Sequence, residues 1–215
     1  DIKQTRTVTL RQKKPSTKST KISFIGAGNY ASRTLMPAFN SAGFEFVSLM
    51  TKGGISGKQF GDEFKFEKIT NNLDEILKDD SDLVVIATRH NMHAEQCIAC
   101  LNADKDVFVE KPLALNIDEL NDIENKIKTS NKRLMVGFNR RFSPQITKIK
   151  NYLDKLNSSK SFIYTINAGY IDGEHWTHDK SVGGGRIIGE ACHFLDLIKY
   201  LSGGNISSIN SMYLD

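Results

Sequence analysis

The stretch from Lys21 to Ala31, reading KISFIGAGNYA, constrains this chain more than any other. Ile22, Phe24 and Ile25 form a short apolar run that breaks into Gly26-Ala27-Gly28-Asn29-Tyr30-Ala31 and resumes as a helical pattern. That is a strand, a tight glycine turn and a helix. In a dinucleotide-binding turn Gly26 makes the bend, Gly28 lets the backbone approach a pyrophosphate, and Ala31 keeps the helix close to the strand. The free N–H groups of the first helical turn, around Asn29 and Tyr30, then face the phosphates. A lone G-x-G-x-x-A also describes a plain βα turn, so its weight comes from the βα units that follow.

Those units are regular. Phe44 to Met50 reads as a second strand, with helices at Ser56 to Glu63 and Leu73 to Lys78. Asp82 to Ala87 is an almost continuous apolar run, as a parallel strand buried on both faces should be. A helix from Met92 to Ala103, a strand from Asp106 to Val109, a helix from Ile117 to Thr129 and a strand from Arg133 to Gly137 complete the alternation. Residues 21 to 142 therefore read as a doubly wound α/β domain. Beyond Pro144 the pattern changes to an amphipathic helix (146 to 156), a β-prone run (161 to 169), a glycine-rich loop, a helix (189 to 201) and a last β-prone run (206 to 214). We expect residues 143 to 215 to form an incomplete α+β domain with a mainly antiparallel sheet.

Residues 1 to 20 are rich in Thr, Ser, Lys and Gln and look like a linker or extended arm. Much of the net charge of +4 lies there, so the folded part carries no nucleic-acid or membrane footprint. The three cysteines, Cys97, Cys100 and Cys192, make no disulfide framework and suggest a reducing, cytoplasmic setting. Cys97 and Cys100 sit mid-helix without a second ligand pair and read as small buried residues, so no metal site is expected.

Ligands of open α/β sheets sit outside the carboxyl ends of the strands, and candidate site residues cluster there. The second strand ends in Thr51 and Lys52, where a carboxylate would hold the ribose 2′-OH of NAD. Lys52 can meet a 2′-phosphate instead, giving a lean to NADP, or simply point to solvent. The third strand delivers Thr88, Arg89, His90, Asn91 and His93, and the next delivers Glu110, Lys111 and Pro112. Lys111 can place its ammonium against a substrate hydroxyl. Asn139 and Arg140, at the end of the last parallel strand, face the substrate side, and His175 and Trp176 can wall a sugar ring. His193 has Glu190 and Asp196 each three residues away on its helix, and a neighbouring carboxylate would raise its basicity as a general base.

Together, GAGNYA, VVIAT with His93, EKP at 110 to 112, and His193 with Asp196 resemble the glucose-fructose oxidoreductase, inositol dehydrogenase and MocA family. VIATRHNMHAE, GFNRRFSP and GGGRIIGEACHFLDL are similar to bi-domain members, in which an alcohol-dehydrogenase-like region precedes this one. The resemblance implies a Rossmann domain binding NAD or NADP, a substrate domain on a large open antiparallel sheet, and action on sugars, cyclitols or nucleotide sugars. It also implies homo-oligomers, a cofactor role for Thr88, His93 and Glu110, and catalytic roles for Lys111 and His193. Where many members carry an aspartate four residues before the histidine, this chain has Gly189, so either Glu190 takes that role or the acid–base arrangement differs. The resemblance thus implies an NAD(P)-dependent oxidoreductase. The alternative is a non-catalytic nucleotide-binding module that regulates or scaffolds a larger protein.

Overall fold

The computed structural model describes residues 6–12 and 19–212. Seven strands form one sheet in the order β1-β4-β3-β2-β5-β6-β7: β1 (Thr7–Thr9), β2 (Lys21–Ile25), β3 (Glu45–Met50), β4 (Lys68–Thr70), β5 (Leu83–Ile86), β6 (Asp106–Val109) and β7 (Leu134–Val136). All neighbours are parallel except β1, which runs antiparallel to β4. Helices α1 (Met36–Ser41), α2 (Gly54–Glu63), α3 (Leu73–Leu77), α4 (His93–Asn102) and α5 (Ile117–Thr129) alternate with the strands. The doubly wound reading is correct, and its helices fall within a few residues of their expected bounds.

The central strands β2, β3 and β5 bury both faces, so two cores form. On one, Phe24, Phe46 and Phe66 pack with α1, with Phe46 and Phe66 ring centres 4.8 Å apart. On the other, Ile25, Val84 and Ile86 meet Ile76, Cys97, Leu101 and Ile123 of α3, α4 and α5. Burial pushes the Cys97 and Cys100 thiols up to about 12, as befits small core residues with no thiolate chemistry.

Strand order reverses between β3-β2 and β2-β5, so the crevice at the carboxyl ends opens beside Gly26. Gly26 sits at φ +103°, its N–H donates to the Met50 carbonyl at 2.8 Å, and a Cβ on it would lie 2.4 Å from the Ala87 oxygen. Only glycine can join the three strand ends this closely.

Two expectations need correcting. The arm is in part structured: Thr7–Thr9 is a strand, docked by pairs of bonds that a polar, exposed TVT sequence does not advertise. Residues 1–5 and 13–18 of that arm, and 213–215, lie outside the described residues. The runs at 161–169 and 206–212 form no strands, and among the described residues no strand follows β7. A β-prone run becomes a strand only with a ladder partner, and Ile163 and Met212 instead stand 92% and 99% exposed. Past β7 the α-helices are α6 (Pro144–Leu153), capped by the Ser143 side chain, and α7 (Cys192–Ser202), ended by Gly203 at φ +73°. Leu197 and Leu201 bury one face of α7, which turns His193 toward the crevice.

Candidate active site

A cleft of about 730 Å³ opens over the carboxyl ends of the strands and is lined by Gly28, Tyr30, Glu110, Lys111, Asn139 and His193, among others. A second arm of about 570 Å³ reaches Thr51, Lys52, Arg89 and His175. Gly28, Asn29, Ala87, Thr88 and Trp176 line both, so the two arms are one groove bent over the glycine turn. A Cβ on Gly28 would meet nothing within 4 Å, so here the glycine leaves room rather than relieving strain. The donor set fits a dinucleotide: a glycine turn opening a helix, Thr88 and Arg89 beside it, and no carboxylate at the end of β3.

At the other arm, the Lys111 ammonium donates to the Gly189 carbonyl at 2.6 Å and to Glu190 Oε2 at 3.1 Å. Glu190 Oε1 accepts from Arg140 at 3.2 Å. Burial alone would raise the Glu190 carboxyl, but Lys111, His193 and Arg140 hold it below its usual range. Glu190 thus lies between Lys111 and Arg140, and the space around its neighbour Gly189 is tight. A Cβ there would lie 3.1 Å from His90 Cε1 and 3.3 Å from the Gly183 oxygen.

His193 is 6% exposed and its Nδ1 has no hydrogen-bond partner. Burial, reinforced by the Lys111 and Arg140 charges, pushes its imidazole down to about 4. This reverses the expectation that Glu190 or Asp196 raises its basicity. Asp196 instead holds Arg141, with Arg141 Nε 3.0 Å from Oδ2, and does not line the groove. His175 bonds Thr177 Oγ1 at 2.9 Å and lies in the Lys52 arm, away from Lys111.

Glu110 is the second unusual group. Burial pushes its carboxyl up to about 7 against the pull of Lys111, and its Oε1 has no partner. A Cβ on Gly137 would lie 2.6 Å from that oxygen, so this glycine makes room for the carboxyl. Beside it, Tyr30 OH accepts from Asn139 Nδ2 at 2.7 Å, clamping the glycine turn to the end of β7. His93, fully buried and held neutral by that burial, braces two strand ends: Nδ1 lies 2.7 Å from the Pro112 oxygen and Nε2 3.2 Å from that of Thr88.

Sequence reasoning missed Ser143 and named His90 only as part of the loop after β5; both line the cleft. His90 packs edge-on to Trp176, 4.9 Å between ring centres, and bonds the Gly183 oxygen at 2.8 Å. Its one available signal was its place at the end of β5 beside Arg89, which itself lies 5.4 Å from the Trp176 ring centre. A cavity of about 380 Å³ on the other side of Lys111 is lined by His90, Trp176, Arg186 and Glu190.

The family model described as "Oxidoreductase family, NAD-binding Rossmann fold" (GFO_IDH_MocA) matches residues 20–138. The scyllo-inositol 2-dehydrogenase (NAD(+)) of Bacillus subtilis is 30% identical over 187 residues, covering 85% of this chain and 53% of the relative. The levoglucosan dehydrogenase of Pseudarthrobacter phenanthrenivorans is 31% identical over 69% of this chain and 40% of its own length. A levoglucosan dehydrogenase structure in complex with NADH and L-sorbose superposes with TM-score 0.72 and 25% identity over 86% of this chain and 53% of that one. The chain spans about half the length of these relatives.

Proposed function

Since the chain belongs to the glucose-fructose oxidoreductase, inositol dehydrogenase and MocA family, we propose that its protein is an NAD(P)-dependent oxidoreductase exchanging a hydride with a sugar, cyclitol or nucleotide-sugar CH–OH group. The observation that carries this is the convergence of Gly28, Lys111 and His193 on one cleft. When bound, the nicotinamide supplies hydride exchange. Gly26 and Gly28 shape the turn that would hold its pyrophosphate, with Thr88 and Arg89 alongside.

Lys111, fixed by the Gly189 carbonyl and Glu190, presents an ammonium to the reacting oxygen. With Arg140 it makes this arm electropositive, which depresses the His193 pKa and by the same field stabilises an alkoxide-like oxygen. His193, neutral at pH 7, accepts the hydroxyl proton during oxidation and returns it during reduction. Arg186, which has no ion-pair partner among the described residues, lines the cavity beyond Lys111 with Trp176 and favours an anionic nucleotide sugar among these substrates. Lys52, without a carboxylate beside it in the groove, favours NADP. We further propose an alcohol-dehydrogenase-like region ahead of this chain, and homo-oligomers.

A non-catalytic nucleotide module would have no use for an ammonium and an imidazole aimed into the same cleft. In the full-length protein, His193→Ala is expected to lower kcat by about 10²–10⁴ while sparing cofactor affinity. An unchanged kcat overturns the assignment.

A further inference from the structure

Residues 172–184 carry Trp176 to the bend of the groove, and their conformation is fixed from within. The Asp179 carbonyl accepts from the Val182, Gly183 and Gly184 N–H groups at 3.2, 2.8 and 3.1 Å, and its carboxylate accepts from the Ser181 N–H and hydroxyl at 2.8 and 2.7 Å. The Gly185 N–H closes the loop onto the Thr177 carbonyl at 3.1 Å, and a Cβ on Gly183 would lie 2.5 Å from Thr177 Cα. A loop bonded to itself in this way moves as one body.

This body is fastened to the dinucleotide-binding half at the end of β5. His90 Nδ1 donates to the Gly183 carbonyl at 2.8 Å, since a carbonyl can only accept, and the Asn91 N–H donates to the Val182 carbonyl at 3.1 Å. The Trp176 ring packs edge-on against His90 and faces the Arg89 guanidinium. Trp176 also lines both arms of the groove opposite the turn, with Gly28 and Thr88, and the cavity beyond Lys111 as well. A dinucleotide laid over Gly28 and Thr88 therefore lies against Trp176.

We propose that residues 172–184 are a latched gate on the dinucleotide groove, and that His90 is the positioning residue that holds the gate shut. The inference rests on the dinucleotide reading above. The latch joins protein to protein and not protein to cofactor, so it opposes entry and exit alike. Weakening it raises both rates and leaves their ratio, the dissociation constant, nearly unchanged. Loss of a residue that merely supported the groove would instead speed exit alone and weaken affinity.

The test is stopped-flow association and dissociation of NADH, read by energy transfer from Trp176, for the native chain, His90→Ala, His90→Asn and Gly28→Asp. Acrylamide quenching of Trp176 is measured alongside without nucleotide. Thermal melts verify folding, and His90→Leu, which keeps bulk and lacks the donor, replaces His90→Ala if that chain does not melt cooperatively. Losing one buried hydrogen bond at the latch should raise both rates about three- to tenfold, with Kd within about twofold of native and Trp176 more readily quenched. His90→Asn, whose amide N–H can reach the Gly183 carbonyl, should recover most of the native behaviour. Native rates in the variant lacking the donor, or a Kd that weakens in step with faster exit, overturn the gate. If Gly28→Asp abolishes NADH binding while the His90 variants keep native rates, the dinucleotide reading stands and the gate falls; if NADH does not bind the native chain, both fall.

Discussion

The two glycines of the turn should fail in opposite ways when given a side chain. At Gly26, φ is +103° and a Cβ would stand 2.4 Å from the Ala87 oxygen and 2.8 Å from its carbonyl carbon, both backbone atoms of the neighbouring strand end. Gly26→Ala therefore combines an unfavourable backbone conformation, about 1–2 kcal/mol, with overpacking against a rigid partner, about 1–3 kcal/mol. The sum, about 2–5 kcal/mol, corresponds to a drop in Tm of roughly 4–20 °C for a chain of this size. At Gly28 the added Cβ meets nothing within 4 Å, so Gly28→Ala should leave Tm within about 2 °C of native. Its effect falls on binding, because the methyl group occupies the space through which a pyrophosphate approaches the backbone. Differential scanning calorimetry and nucleotide titration on the same two variants separate the cases. A stable Gly26→Ala chain, or a Gly28→Ala chain that melts early, would refute the division of labour between bend and approach.

The remaining predictions concern charge. Glu110 is raised in the folded state to about 7, so its stabilising contribution is complete below the unfolded value near 4.5 and is lost as pH rises through 7. Glu110→Gln should therefore gain on the native chain between pH 5 and pH 8 by roughly 2–3 kcal/mol in urea denaturation, and a pH-independent difference would contradict the buried, neutral carboxyl. His193 has the opposite sign: lowered to about 4, it stabilises above the unfolded value near 6.5, and that contribution falls away as pH drops from 6.5 toward 4. His193→Asn should flatten that acid limb in a pH series of melts, and an unaltered limb would place the titration elsewhere. At the opposite end of the sheet, Lys105 is 4% exposed and its ammonium bonds the Asp79 carbonyl and carboxylate, the Ser81 carbonyl and the Ser81 hydroxyl, at 2.9, 3.1, 2.9 and 3.1 Å. Lys105→Met alone should cost about 3–5 kcal/mol by stranding a buried carboxylate, while Lys105→Met with Asp79→Asn should recover most of it; a double-mutant cycle showing additivity would deny the coupling.

The doubly wound half was legible because its physics is local. Leu83-Val84-Val85-Ile86 is apolar without alternation because both faces are covered, and the glycine turn and EKP fall where such strands must end. Strand β1 was hidden because three exposed residues carry no hydrophobic pattern, and only the bonds to Asn71, Thr70 and Glu67 define it. The runs at 161–169 and 206–212 misled for the converse reason: their residues are β-prone, but a ladder also requires a partner strand. At the site, residue types and strand ends brought Lys111 and His193 into one cleft correctly, whereas sequence spacing misjudged the carboxylates around His193. Glu190 and Asp196 share its helix, yet Lys111 and Arg140 capture the first and Arg141 the second, so the imidazole is depressed rather than activated. Helical spacing reports who is near, and only the third dimension reports which partner wins.

Trp176 is the single tryptophan of the chain and lines both arms of the groove, so it reports directly on the groove's occupancy. The decisive measurement is energy transfer from Trp176 to reduced nicotinamide as NADPH is titrated into the folded chain. The account predicts saturable transfer that Gly28→Asp abolishes and His193→Ala leaves intact. No transfer in a chain that melts cooperatively, or transfer that Gly28→Asp does not change, would contradict a dinucleotide laid over the glycine turn with Lys111 and His193 waiting beyond it.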